Sequence, residues 1–317
     1  MGVLCDNFLP LSCLFISRFY LQSHLEKIIK KLIIVGCGRL GQKIGNNLSA
    51  LPIQVIGIKR NLQETHSKFK IISLDIFSDK FSDSIKLINP DFLIYSVSSD
   101  AQTEESYQKN YVEGLKVTTN ALGQLNNFQH LFFISSTRVY GQISNSFLSE
   151  STAPQPKDFR GRTLLDAEKS LKKLTFKTTI LRLSGIYGDS RSRMLKIASK
   201  PIIWPYEDRW TNRIHEEDIA LFVNFLFVHI ISNKKIEELY LLTDNHPVSL
   251  YEVLKWIRFE LGLSLDNLPI SNRINGKKLR SEILPKLNFI FKHSSYKSGY
   301  LQMIEELDKT RKIRKNK

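Results

Sequence analysis

The feature that most restricts the fold is an apolar run feeding directly into a glycine cluster. Lys31 leads into Leu32-Ile33-Ile34-Val35, and Gly36-Cys37-Gly38-Arg39-Leu40-Gly41 follows at once. A strand with no polar alternation has to be covered on both faces, which is the situation of a parallel strand inside a sheet. Leu40, Ile44 and Leu48 then recur at helical spacing, so the glycines join a strand to a helix. In that context Gly36 permits the tight turn, Gly38 lets a phosphate approach the backbone, and Gly41 lets the helix pack against the strand. The first amides of the helix lack intrahelical acceptors and so face an anion.

The pattern continues as strand and helix in alternation. Strands are expected at 53–58, near 70–74, at 91–97, 131–135 and 178–183, with helices over 104–127 and 162–174. Such alternation predicts an α/β fold: a Rossmann-type doubly wound parallel sheet with a smaller C-terminal substrate lobe. Ligands of such sheets bind beyond the carboxyl ends of the strands, which places Ser96 and Val97, Ser135 and Ser136 near the cofactor. The expected division is an N-terminal extension over 1–31, a dinucleotide-binding domain over 32–183, a substrate lobe over 184–307 interlocked with it, and a basic tail over 308–317. Within the lobe, helices are expected over 215–231 and 249–261 and a strand near 239–243.

Composition narrows the class. Among 317 residues there is no apolar stretch long enough to cross a membrane, so no membrane partner is expected. Cys5, Cys13 and Cys37 are too scattered for a disulfide framework or a paired zinc site, which suits the cytoplasm and predicts no metal. The apolar run from Phe8 to Ile16 is preceded by Asp6 and broken by Pro10, a poor secretory signal, and the extension is expected to be dispensable. The net charge of +15 is spread along the chain without a nucleic-acid-binding motif, so no nucleic acid is expected, and the basicity favours a phosphorylated small molecule. The tail, with six basic residues in its last nine, is read as a solvated end. A homodimer is a possible assembly.

The second strand settles which dinucleotide is expected. An NAD site places a carboxylate there, about 20 residues past the glycines, to bind the ribose 2′-hydroxyl. Here Lys59 and Arg60 stand in that place. A guanidinium fork suits a 2′-phosphate, so NADP is favoured over NAD.

Further along, Ile134-Ser135-Ser136-Thr137-Arg138-Val139-Tyr140-Gly141 resembles the short-chain dehydrogenase/reductase superfamily, in its extended or atypical branch related to nucleoside-diphosphate-sugar epimerases. Other segments resemble that family in order. They are Asp75 after the third strand, Glu150 with Pro154 and Pro156, Leu181 to Gly188, and Arg213-Ile214-His215 with Asp218. The resemblance implies that Asp75 contacts the adenosine end and that Arg213 and His215 lie near the substrate.

It also implies a catalytic set of Ser or Thr, Tyr, and a Lys four residues after the Tyr. Ser136 matches the serine, but the best match to the remainder is Arg160-Gly161-Arg162-Thr163-Leu164, leaving Arg160 in the Tyr place and Leu164 in the Lys place. Arg stays protonated and Leu has no proton to exchange, so the usual relay is absent. The family's NVxG segment reads Tyr111-Val112-Glu113-Gly114, which makes Tyr111 a candidate substitute, while Arg160 could hold an anionic substrate. Two readings follow. One is an NADP-dependent reductase or epimerase-like enzyme on a carbonyl or nucleotide sugar with a rearranged proton donor; the other is a non-catalytic NADP-binding sensor or scaffold.

Overall fold

The computed structural model describes residues 29–62, 67–143, 146–188, 191–271 and 274–315, with side chains to residue 309. The bulk of the N-terminal extension, Cys5 and Cys13 included, lies outside the described residues.

The described residues open with β1 (Lys30–Val35), α1 (Arg39–Leu48), β2 (Ile53–Lys59), β3 (Lys70–Ser73), α2 (Lys80–Ile88) and β4 (Phe92–Tyr95). The segment expected as one long helix is α3 (Glu104–Tyr107), a π-helical turn (Gln108–Glu113) and α4 (Gly114–Leu122). There follow β5 (His130–Ser136), a 3-10 turn (Thr137–Val139), β6 (Phe147–Leu148), α5 (Phe159–Leu171), β7 (Lys177–Leu183) and β8 (Gly185–Tyr187). The remainder comprises α6 (Arg193–Ser199), β9 (Asp208–Thr211), β10 (Arg213–His215), α7 (Glu216–Ile231), β11 (Leu239–Leu242), β12 (Val248–Ser249), α8 (Leu250–Glu260), β13 (Ile274–Asn275), β14 (Lys278–Leu279) and α9 (Tyr296–Lys315).

Seven strands form one sheet in the order β11-β7-β5-β4-β1-β2-β3, with parallel pairing throughout. The order reverses between β1 and β4, the switch point at which such sheets bind ligands. Alternate residues of each strand feed opposite layers: Leu32 and Ile34 join Phe92, Phe132, Leu181 and α7 on one face, whereas Ile33 and Val35 join Leu93, Tyr95, Phe133 and Leu164 on the other. This explains the unbroken apolar run of β1, because both faces are dry. A third cluster, built on Leu195, Trp204, Tyr251, Leu254, Ile257, Tyr300 and Met303, forms the core of the smaller lobe.

Two features differ from the sequence reading and a third adds to it. The residues 239–242, placed in the lobe from sequence, pair with β7 and complete the sheet, and α7 covers that sheet through Phe222, Val223, Leu226 and Phe227. The chain thus returns to the first core after entering the lobe. A helix over Lys80–Ile88 fills the connection between β3 and β4, burying Phe81 and Ile85. The basic tail, read as a solvated end, begins within α9, which starts at Tyr296 and runs to Lys315.

Candidate active site

The glycine loop has the geometry its sequence implies. Gly36 has φ +76°, and a Cβ there would lie 2.6 Å from the Val97 backbone, so only glycine fits where the loop crosses the end of β4. At Gly41 a Cβ would meet Ile34 Cγ2 at 3.1 Å and the Gly36 carbonyl at 3.3 Å, the close approach of α1 to β1. Above Gly38, by contrast, a Cβ would meet only the Gly36 oxygen, at 3.9 Å. The N-terminus of α1 carries no side-chain cap and no acidic residue in its first turn, so its amides are left for an anion. Cys37 is buried below this loop, and burial pushes its thiol up to about 12, which makes it an inert packing residue.

Two cavities meet at the loop. One of about 240 Å³ is lined by Lys59, Arg60, Asp75, Ile76, Asp100 and Asn110 and shares Gly36, Gly38, Val97 and Ser98 with the other. That second cavity, of about 660 Å³, adds Arg39, Leu40, Gly41, Ser96, Tyr111, Ser135, Ser136 and Leu164. The structure therefore gathers the expected cofactor residues around one continuous cleft. Within it, Arg60 forms a two-pronged pair with Asp100, a partner the sequence reading did not foresee, and the Arg60 hydrogen bond holds the Asp100 carboxyl below its ordinary range. Asp75 accepts from the Phe77 amide at 2.9 Å.

The Ser135 hydroxyl is engaged within the protein. It is buried and donates to Glu168 at 2.6 Å. Glu168 pairs with Arg182, and Arg182 donates to the Tyr140 hydroxyl at 2.6 Å, which donates on to the Ser149 carbonyl at 2.8 Å. These residues of the family-like segments thus form a buried polar girder beneath the site. Tyr140 is consumed by it and Tyr187 donates to the Ser295 carbonyl in the lobe core; burial raises the hydroxyl pKa of both.

Ser136 closes β5, and its hydroxyl accepts from the Arg138 amide at 3.2 Å. It lines both the 660 Å³ cavity and a third, of about 1030 Å³, which opens between the sheet and the lobe. Leu164 lines the nucleotide side, buried and apolar where the resemblance expects Lys. Arg160 does not line any of the three cavities; its guanidinium reaches Asp158 at 3.4 Å and Gln102 at 3.1 Å. Tyr111 does line the cleft, carried there by the π-helical turn, a device that reorients side chains inside helices. Burial pushes its hydroxyl up to about 12.

The 1030 Å³ cleft is strongly basic. Among the described residues its lining includes Arg138, Lys157, Arg191, Arg193, Lys196, Arg209, Arg213 and Lys277 against one carboxylate, Asp158. Arg213 is buried, donates to the Thr211 hydroxyl at 2.6 Å and lies over the Tyr296 ring. His215 is buried beside it in sequence but stands outside the lining of that cleft, its ring 3.8 Å from that of His293 between centroids. His215, Glu217 and His293 come close enough together to hold a metal ion, whereas the sequence reading expected none; Lys292 also occupies the Glu217 carboxylate, at 2.8 Å. Lys277, absent from the sequence reading, has no local motif that could have revealed it.

The model of the RmlD substrate binding domain matches residues 30–277, spanning the sheet, the cleft and Lys277. The chain belongs to this family. It is thereby a member of the extended short-chain dehydrogenase/reductase superfamily. A solved protein of Methylobacillus flagellatus described as an NAD-dependent epimerase/dehydratase is 35% identical, with 88% of this chain and 99% of that one covered and a TM-score of 0.79. Protein YeeZ of Escherichia coli K12 is 28% identical over 208 residues, 62% of this chain and 73% of its own length. The fold is also that of a Thermus thermophilus UDP-glucose 4-epimerase solved with NAD, at 15% identity, 87% and 98% coverage and a TM-score of 0.69. Among the described residues no helix is long and apolar enough to cross a membrane.

Proposed function

We propose that this RmlD-family chain is an NADP-dependent enzyme of the epimerase or reductase kind that acts on an anionic carbonyl or hydroxyl substrate, a nucleotide sugar being the class that fits best. The observation that carries this reading is the position of Ser136 at the junction of the glycine-loop cleft with the basic 1030 Å³ cleft. A dinucleotide on one side and a phosphorylated substrate on the other would meet at that hydroxyl. The Thermus neighbour, which shares this fold, was solved with NAD, and that is in keeping with a dinucleotide as the cofactor.

The loop fits the cofactor by its open face at Gly38 and the uncapped start of α1. Gly36, Gly38, Arg39, Leu40 and Gly41 would hold the pyrophosphate, Lys59, Arg60 and Asp75 the adenosine end, and Ser96, Val97 and the Ser135 backbone the wall beyond. When bound, NADP supplies hydride exchange. The chain's own part is to orient the substrate oxygen through Ser136, to neutralise phosphate charge with the cations of the cleft, and to keep water from the reacting carbon. Preorganised positive charge of this kind is the largest contribution many such sites make.

The test is a thermal-shift titration with NADPH, NADH and no nucleotide, on the wild-type protein and Arg60→Ala, followed by a screen of uridine and thymidine diphosphate sugars. A selective NADPH shift that weakens in the variant supports the reading, and Ser136→Ala then abolishes turnover with NADPH binding intact. A chain that shifts with neither nucleotide sinks it. The apolar Leu164 in the cleft favours a second reading, a non-catalytic NADP-binding sensor or scaffold. That one predicts no turnover with any sugar nucleotide and a change of oligomeric state on adding NADPH.

A further inference from the structure

The relay of the resembling enzymes is missing, yet among the amines lining the basic cleft Lys277 is anchored at the turn that follows Ser136. Lys277 sits on the turn between β13 and β14, and its Nζ donates to the Thr137 carbonyl at 2.6 Å and also to the Tyr140 carbonyl. Both carbonyls belong to the turn that begins at Ser136, so the amine is anchored beside the residue where the two clefts meet. Its backbone is held as well. The Lys277 carbonyl accepts from the Asn212 side chain at 3.0 Å, and the backbone amide of Leu279, two residues on, donates to the same side chain at 2.8 Å. The neighbouring Lys278 turns away, over the Phe147 and Trp210 rings.

We propose that Lys277 takes the place of the absent Tyr/Lys pair, exchanging the proton of the substrate hydroxyl at the Ser136 junction. This rests on the enzyme reading given above. The hydrogen count favours it: an ammonium has three N–H donors and a neutral amine two. The two carbonyls satisfy two hydrogens in either state, so the third position is a proton in one state and a lone pair in the other. The substrate O–H proton can move to that lone pair, and back, without breaking the anchor. The balance is a hydroxyl plus a neutral amine giving an alkoxide-like oxygen plus an ammonium, with no other reactant.

The electrostatics agree. Burial, followed by the Arg138 guanidinium, brings the Lys277 pKa down to about 8, against the opposing pull of Asp158. Asp158 is itself engaged by Arg138 at 2.7 Å and Arg160 at 3.4 Å, and among the described residues no carboxylate pairs with Lys277. The remaining charged groups of the cleft that line it with Lys277 are cations, Lys157, Arg209 and Arg213 among them, and like charges disfavour the ammonium. An acid or base working near neutral pH needs such tuning. Tyr111 moves in the wrong direction, since burial pushes its hydroxyl up to about 12.

The decisive measurement is made on the full chain without nucleotide, by competitive acetylation with trace acetic anhydride across pH and peptide mass spectrometry. Lys277 should show its midpoint near pH 8, where a lysine amide standard shows one at about 10.4. A midpoint at the standard's value overturns the proposal. Lys277→Arg keeps a cation but cannot titrate; it should retain the NADPH thermal shift, lose turnover by about 10²- to 10⁴-fold, and, in the direction that oxidises the hydroxyl, lose the fall in rate that protonation of Lys277 causes below about pH 8. Lys277→Ala should be partly rescued by methylamine, and Lys277→Arg turning over at the wild-type rate also overturns the proposal. Failure of the wild type to shift with NADPH is a separate outcome that strikes the enzyme reading, while the acetylation midpoint still reports on Lys277 itself.

Discussion

Glu168 and Arg182 meet as a bidentate ion pair with Oε2 and Nη2 2.6 Å apart, their side chains 3% and 6% exposed. The pair receives Ser135 and delivers to Tyr140. Removing one partner leaves a buried charge without compensation. Glu168→Gln should therefore cost about 3 to 5 kcal/mol of unfolding free energy, read by urea denaturation. A well-packed replacement of both, Glu168→Met with Arg182→Leu, should recover much of that loss.

The two glycines of the loop should separate folding from binding. Gly36→Ala forces a Cβ to within 2.6 Å of the Val97 backbone at a positive φ, so the protein should melt lower by several degrees or fail to fold. Gly38→Ala meets nothing closer than 3.9 Å and should melt like the wild type. The same methyl occupies the approach to α1, so the NADPH-induced shift should disappear in Gly38→Ala alone.

Arg60 is already engaged by Asp100 across the adenosine pocket. An incoming 2′-phosphate has to compete with that carboxylate. Both side chains are about half exposed, where an ion pair contributes only about 0.2 to 1 kcal/mol. Asp100→Asn should consequently raise NADPH affinity by a few-fold and leave NADH affinity almost unchanged, measured by calorimetric titration.

His130 gives the fold a specific acid sensitivity. The Thr179 hydroxyl donates to the Glu237 carbonyl at 2.9 Å, so its oxygen accepts from His130 Nε2 at 2.9 Å. Burial holds the ring neutral, bringing its pKa from 6.5 down to about 4. Because the folded value lies below the unfolded one, the stabilisation is complete above about pH 6.5 and is lost as the pH falls towards 4. Its upper limit is about 3 kcal/mol. His130→Asn should flatten the pH dependence of urea unfolding across that window.

The dinucleotide half of the molecule was legible because its signals are local. Val35, Gly36, Gly38 and Gly41 encode a strand end, a turn and a helix start within one short stretch. Ser136 and Leu164 were likewise placed by neighbouring motif residues, and both face the cleft. What could not be read is whatever depends on distant partners. Lys277 meets Thr137 across 140 positions of sequence, and Asp100 meets Arg60 across 40. Arg160 shows the opposite failure: its place in the motif suggested a role in the site, but the start of α5 aims it at Asp158 and Gln102 instead. The lobe boundary was misjudged for a topological reason, because β11 re-enters the sheet only after the chain has crossed α7.

The turn before β14, which β14 holds in place by pairing with β6, brings Gly276 and Lys277 into the lining of the basic cleft from late in the chain. During translation the sheet strands through β7 emerge before the residues that complete the lining of that cleft. A chain ending near β7 therefore holds the glycine loop but not the lysine that meets the Thr137 turn.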